Sequence, residues 1–442
     1  MGVDGSSVPD VGTVMFGLSG FRVLAAGRVG GELELLVETT ASTASCPACG
    51  RAAAPHARRE HLLRDLAHGD LPVFVLWCKR IWRCRHPDCP KRTWSETADL
   101  AAPKATLTAR TRAWAARRVG EHADTVAATA RSLGVGWHTV MGAVTEHGTP
   151  LVDDPARLDD VAALGVDEHA WQRANPLRHT TFATGIVDLT PGRPARLLDV
   201  VENRTAEAYG SWLAARSPEW RQQVRLAALD PFRGYLNALR AHLPHATHVL
   251  DAFHVVKLGF QAMDEVRRRV QQEQTGHRGH KHDPLYRTRR LLRRRADRLQ
   301  PRHLDKLNAA LDAGDPDGEV SIAWHAAQAL AGALARGDRT AGSRAALEVI
   351  TTYIDCPVPE VARLARTLRT WQPQLMACFT ANERISNGPT EALNLLIEKV
   401  RRVGHGYRTF ANYRLRLLLH CGVAWDKVLT PRIRTRQPRI AA

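Results

Sequence analysis

The run Val161-Ala162-Ala163-Leu164-Gly165-Val166-Asp167-Glu168-His169-Ala170-Trp171 is apolar through its first half and then presents two adjacent carboxylates. Short and apolar after an acidic stretch, it reads as a buried β-strand whose end carries Asp167. Downstream, residues 180–188 and 195–202 are two further strand-like runs around the turn Pro191-Gly192-Arg193-Pro194, which predicts three antiparallel strands. A helical stretch over 205–215 leads into the apolar run 224–229. That run delivers Asp230 at its C-terminal edge, where α/β sheets usually place their ligands. A second helix and a strand over 247–250 complete the order β-β-β-α-β-α-β.

That order suits a ribonuclease-H-like sheet. A third carboxylate comes much later, in Ser386-Asn387-Gly388-Pro389-Thr390-Glu391. Asn387 is a good N-cap and Pro389 fits a first helical turn, so Glu391 sits early on a helix, with Asn394 and Glu398 one and two turns further on. Asp167, Asp230 and Glu391 together can hold two magnesium ions, with manganese as the alternative, for phosphodiester chemistry. Glu168, Asp251, Glu383 and Glu398 compete for these roles; Asp251 reads as support for the site, alongside His254.

The stretch between the second and third carboxylates is patterned as helices: Leu304, Leu307 and Leu311, then 322–334, 345–354 and 361–368. An all-helical insertion over 258–381 is expected. Residues 266–298 carry twelve basic and three acidic side chains, among them Arg267, Arg268, Arg269, Arg293, Arg294 and Arg295. Such density predicts a phosphate-binding surface, as do Lys399, Arg401 and Arg402 beyond the third carboxylate.

Upstream, Cys46-x2-Cys49 and Cys84-x4-Cys89 form two knuckles, with Cys78 apart and His86 as a rival ligand. Four thiolates in this arrangement predict a structural zinc ion. The β-formers in 71–77 and 79–83 are its ribbon strands, and Arg80 and Arg83 are placed on a face that touches DNA. Residues 106–122 are helical in composition. After Asp124, read as an N-cap, the run from Val126 through the turn at Gly134 to Val140 has the pattern of a helix-turn-helix. Its second helix would present Trp137, His138 and Thr139 to the major groove.

The 442 residues carry 62 Lys plus Arg against 45 Asp plus Glu, a net charge of +17, with only eight lysines. Arginine grips phosphate with a planar fork, so the expected partner is a polyanion. No run of eighteen apolar residues and no signal-like N terminus is visible, so the expectation is no membrane and a cytoplasmic, nucleoid-associated protein. The expected divisions are a zinc ribbon (1–100), a helix-turn-helix (101–155), the core's first part (156–257), the insertion (258–381), final core helices (382–430) and a flexible basic tail (431–442).

Gly165-Val166-Asp167-Glu168, Leu229-Asp230-Pro231-Phe232-Arg233-Gly234-Tyr235, Asp251-Ala252-Phe253-His254-Val255-Val256-Lys257 and the 386–394 stretch follow the zinc ribbon and the helix-turn-helix in a fixed order. With the ending Gly404-His405-Gly406-Tyr407-Arg408-Thr409-Phe410, that order resembles DDE-class insertion-sequence transposases of the ISL-three group over nearly the whole chain. The resemblance implies that Asp167, Asp230 and Glu391, separated by 63 and 161 residues, are the catalytic triad. It further implies a transposase that binds the terminal inverted repeats of its element, cleaves and joins strands with metal, and works on double-stranded transposon ends and target as a homodimer or larger synaptic complex. The rival readings are an inactive or domesticated, repressor-like DNA-binding protein and a metal nuclease without strand joining.

Overall fold

The computed structural model describes residues 11–177, 179–381, 385 and 387–425, in two compact units. The first opens with α1 (Val11–Phe16), then β1 (Phe21–Val29), β2 (Glu32–Thr39), β3 (Ala54–His68), β4 (Leu71–Arg83) and β5 (Thr93–Ser95). These strands make one sheet in the order β1-β2-β4-β3, with β5 pairing the end of β4. The two ribbon strands expected on either side of Cys78 are one continuous strand, because β3 pairs antiparallel with β4 from Arg83 to Leu71. Along β4, Val73, Val75 and Trp77 point into a core with Leu35, Val37 and Leu63, as the two-residue period requires.

Three helices follow: α2 (Ala109–Gly120), α3 (Val126–Leu133) and α4 (Trp137–Val152). The cap of α3 is Thr125 and not Asp124, because the Thr125 hydroxyl accepts from the Ala128 N–H at 2.9 Å. Gly134 ends α3 at φ 64, a left-handed conformation that a side chain would strain. Sheet and helices meet at Asp65 on β3, which is fully buried. Its carboxylate accepts from Thr108 Oγ1 at 2.6 Å, Thr111 Oγ1 at 3.0 Å and the Arg110 guanidinium, all at the start of α2.

The second unit begins with β6 (Ala163–Gln172), β7 (Thr181–Asp188), β8 (Arg196–Glu202), α5 (Ala206–Ala214), α6 (Pro218–Gln223), β9 (Leu226–Leu229), α7 (Arg233–His242) and β10 (Thr247–Leu250). Only the short α6 was not anticipated; Ser217 caps it and Pro218 starts it. The sheet order is β10-β9-β6-β7-β8, antiparallel from β6 to β8 and parallel from β6 to β10. Because β6 is central, Ala163 to Asp167 are buried on both faces. The β7–β8 turn is clamped by Asp188, which pairs with Arg193 and Arg196.

Helices then run from α8 (Ala252–Thr275) through α9 (Pro284–Leu292), α10 (Pro301–Gly314), α11 (Glu319–Ala335), α12 (Arg339–Tyr353), α13 (Pro359–Thr370) and α14 (Gln372–Thr380) to α15 (Gly388–Val403) and α16 (Phe410–Cys421). The stretch from α8 to α14 is all helical. Its outer part has its own core around Met263, Val266, Leu307 and Trp324, while Ala262, Leu330, Ile350 and Leu375 join the core beneath the sheet. The last helix does not belong wholly with the core, as expected for 382–430. Residues 406–414 group with the second unit, and residues 402–405 and 415–425 with the first, where Arg416 donates to the Asp124 carbonyl at 2.9 Å. The basic tail of 431–442 lies outside the described residues.

Burial by itself would raise the Asp65 carboxyl, but hydrogen bonds from Arg110 and Thr108 prevail and hold it below the usual carboxylate range. A depressed carboxylate stabilises the fold above its unfolded pKa of ~3.9 and loses that contribution as pH falls through the lower folded value. Asp65→Ala leaves Arg110 without its buried partner. Thermal melts at pH 7 are expected to show a loss of about 3–5 kcal/mol, which shrinks below about pH 4.

Candidate active site and zinc centre

Asp167 and Asp230 stand side by side because β6 and β9 are parallel neighbours with Val166 opposite Leu229. Asp167 lies within β6, paired with Gly185 of β7, and not at the strand end expected from the sequence, while Asp230 directly follows the last residue of β9. Both are buried, and oxygens of Asp167, Glu168 and Asp230 lie within 4.8 Å of one another. A second group with the same spacing joins Asp230 to Asp251 and His254. Asp251 caps α8 and accepts from the His254 N–H, while the His254 ring spans two carboxylates, with Nδ1 at 2.8 Å from Asp251 and Nε2 at 2.9 Å from Asp230.

The turn before α15 docks on this cluster through Asn387, which is wholly buried. Its N–H donates to Asp251 Oδ1 at 3.0 Å, and its side-chain amide donates to the Val166 carbonyl and Asp230 Oδ1 at 3.4 and 3.3 Å. Thr390 Oγ1 locks the amide oxygen at 3.0 Å, and one turn on, Asn394 Nδ2 donates to Asp167 Oδ2 at 2.6 Å. This approach needs a glycine at 165. A Cβ there would sit 2.7 Å from Thr390 Oγ1 and 3.0 Å from Asn387 Oδ1.

Glu391 is half-buried in the first turn of α15 and lies outside both 4.8 Å groups. It is nonetheless within their field: burial and then Asp251 push its carboxyl up, with Asp230 adding to the effect. Asp167 is pushed up to about 7, first by burial and then by the facing Asp230. Burial alone would lower the His254 imidazole, but its hydrogen bonds to Asp230 and Asp251 outweigh that and raise it to about 10. With both ring nitrogens facing carboxylate oxygens, His254 is a cation. Glu168 is held by Arg204 at 2.9 Å. The arrangement is a buried carboxylate cluster that demands positive charge, a donor set suited to hard divalent cations.

In the first unit, the Sγ atoms of Cys46, Cys49, Cys84 and Cys89 lie within 4.8 Å of one another, with Cys46–Cys89 at 3.7 Å and Cys49–Cys84 at 3.6 Å. A tetrahedron with ~2.3 Å zinc–sulfur arms has edges of about 3.8 Å, so the four thiols fit a zinc ion. Neither rival is in the group; Cys78 faces Arg58 at 3.7 Å.

A family model described as a transposase, of the DDE type and ISL3 group, matches residues 164–417, more than half of the chain. The chain belongs to the ISL3 family of transposases. The helix-turn-helix domain of transposase family ISL3 matches residues 96–148, and the zinc-finger of transposase IS204/IS1001/IS1096/IS1165 matches residues 42–89. The transposase for insertion sequence element IS1001 of Bordetella parapertussis is 26% identical over 321 residues, covering 69% of this chain and 73% of that protein. A solved structure, the Drosophila P element transposase strand transfer complex, superposes with a TM-score of 0.38 at 10% identity, over 70% of this chain and 90% of that one. This protein is thus a DNA transposase with a zinc ribbon and a DNA-binding helix-turn-helix, and among the described residues no helix is long and apolar enough to cross a membrane.

The DNA-facing residues expected of the transposase divide by exposure. Trp137, 42% exposed, and His138 stand free at the start of α4, with Thr139 half-buried behind them. Arg83, Arg268, Arg293, Arg294, Lys399 and Arg402 are exposed, and Arg295 is half-buried against Asp297. Four expectations are corrected. Arg80 is committed to Glu38, Glu96 and Thr39 inside the ribbon, and Arg267 is buried against Asp264 and Gln271. Arg269 joins Glu273, Glu319 and Glu360, and Arg401 is chelated by Glu398. These guanidiniums hold the fold together: partners distant in sequence neutralise Arg80 and Arg269, and carboxylates one helical turn away neutralise Arg267 and Arg401. Sequence reading noted Asn387 only as a cap and missed its grip on Asp230 and Asp251; the buried amide beside Gly388-Pro389 was the available signal.

Two predictions follow from this geometry. Gly165→Ala forces α15 away from β6; DNA binding through the helix-turn-helix should persist in gel shifts while strand cleavage falls at least about tenfold. Cys89→Ser should abolish the roughly one zinc per chain that a thiol-specific reagent releases and should lower the melting temperature of the protein, whereas Cys78→Ser should change neither.

Proposed function

We propose that Asp167, Asp230 and Glu391 are the catalytic carboxylates of a DDE transposase and that they hold two magnesium ions, with manganese as a substitute. The observation that carries this reading is the burial of Asp167 against Asp230, with the Glu391 helix fastened to both through Asn387 and Asn394. When bound, such a metal pair lowers the pKa of water or of a terminal 3′-hydroxyl and neutralises the leaving oxygen. Asn394 fixes one Asp167 oxygen and Asn387 one Asp230 oxygen, so each carboxylate is oriented before substrate arrives. His254, clamped between Asp230 and Asp251, orients Asp230 from the other side and offsets the cluster's charge.

The strand order with three antiparallel and two parallel strands supports a ribonuclease-H-like core for hydrolysis of the element's ends and their transesterification into target DNA. End recognition is assigned to Trp137, His138 and Thr139 on α4, in the position from which a second helix reads the major groove. Two ends must be held together for joining, which calls for a dimer or larger assembly. A purely repressor-like protein has no use for facing buried carboxylates, which cost stability unless a cation is supplied.

Asp167→Asn, Asp230→Asn and Glu391→Gln should each reduce cleavage of a terminal-repeat duplex by on the order of 10³-fold or more with end binding retained. The measurement is single-turnover cleavage in magnesium beside a gel shift on the same duplex. A variant that still cuts removes its residue from the triad.

A further inference from the structure

The first turns of α8 leave large apolar side chains uncovered beside the carboxylate cluster. Phe253 is 56% exposed, and its ring meets His254 edge-on with centroids 5.6 Å apart. Lys257 and Phe260 follow at helical spacing on the same face. Opposite, the segment after α9 brings Arg293, Arg294, Arg295 and Arg298 to the rim of a cleft of about 630 Å³ with Phe253, Val256 and Phe260 inside it. Among the described residues, no acidic side chain lines it. Arg293 and Arg295 have ion-pair partners in Asp264 and Asp297, but Arg294, Arg298 and Lys257 have no carboxylate partner among the described residues.

A cleft of this volume is in the range that accepts one small molecule or nucleotide, roughly 300–1,000 Å³. Its chemistry narrows the occupant. Aromatic rings edged by uncommitted cations make a stacking platform for bases whose phosphates are held alongside. Duplex DNA cannot use such a platform, because its base faces are already stacked; only an unpaired or extruded nucleotide can. Position narrows it again, since Phe253 precedes His254, whose imidazole is 2.9 Å from Asp230. Lys257 also lies within the field of Glu391.

We propose that this cleft receives one unstacked nucleotide of the DNA strand next to the phosphodiester being cut or joined, with its base on Phe253 and its phosphates held by Lys257, Arg294 and Arg298. The inference rests on the catalytic reading above and adds a strand-separating role to it. An extruded nucleotide would free the backbone to bend into the carboxylate cluster. It would also favour DNA whose terminal base pairs open easily, because unpairing costs least there.

The test uses the full-length protein, a labelled twelve-nucleotide oligo-dT, a matched duplex, and a terminal-repeat duplex with 2-aminopurine beside the cleavage site. Phe253→Ala should weaken oligo-dT binding by about tenfold or more, leave duplex binding and the melting temperature unchanged, and abolish the 2-aminopurine signal. Phe253→Trp should restore both oligo-dT binding and the 2-aminopurine signal, and Arg294→Ala should lower the salt slope of oligo-dT binding by about one. Equal oligo-dT affinity in wild type and Phe253→Ala overturns the proposal, as does displacement of the oligonucleotide by free ATP or dTMP at comparable concentration. If the wild type cuts and joins ends while Phe253→Ala binds single strands normally, the cleft alone is refuted. If the wild type never cuts, the catalytic reading fails instead.

Discussion

Burying two carboxylates face to face is the constraint around which the second unit is organised. Asp167 and Asp230 are brought together by nothing more than the register of adjacent parallel strands, and their mutual repulsion in a dry setting must be answered locally. The answer has three parts. His254 supplies a positive charge, Asn387 and Asn394 supply amide donors, and Asp251 anchors both the histidine and the Asn387 backbone. Each of these groups comes from outside the five-stranded sheet, so α8 and α15 are as much a part of the site as β6 and β9.

This explains how a helical stretch of well over a hundred residues can separate the second and third carboxylates. Helix α8 leaves the strand end at Asp251 and α15 returns to the same aspartate through Asn387, so the excursion begins and ends on one side chain. Inside the excursion, part of the apparent basic surface is consumed in ion pairs: Arg269 joins α8 to α11 and α13, and Arg267, Arg268 and Arg293 gather on Asp264. Of the cations without a carboxylate partner among the described residues, Arg294, Arg298 and Lys257 lie together on the Phe253 cleft.

The first unit solves a different problem. A thin sheet carrying a metal knuckle has little apolar interior of its own, and two devices compensate. Four thiols are gathered where a zinc ion fits, and a buried aspartate, Asp65, fastens the sheet to α2 through three donors. The helix-turn-helix is thereby held on a rigid support, with Trp137 and His138 left outward at the start of α4.

Several features were legible in the sequence because they depend on near neighbours. Two-residue and helical periodicities gave the β-β-β-α-β-α-β order. Knuckle spacing gave the four cysteines, and a glycine between alanine-rich helices gave the turn at Gly134. The adjacency of Asp167 and Asp230 was also within reach, since each follows an apolar run that forms a strand of one sheet, although β6 continues past Asp167 to Gln172. Tertiary structure alone decided that Arg80 and Arg269 are not free, because their partners Glu38, Glu96, Glu319 and Glu360 lie far away in the chain, whereas Arg267 and Arg401 pair with carboxylates only three residues off. It also decided that Gly165 must lack a side chain so that Asn387 and Thr390 can press against β6, more than 220 residues away in the chain. The physical reason is the same in both cases: local propensity is written in consecutive residues, whereas charge neutralisation and close approach are settled only by which distant atoms the fold brings into contact.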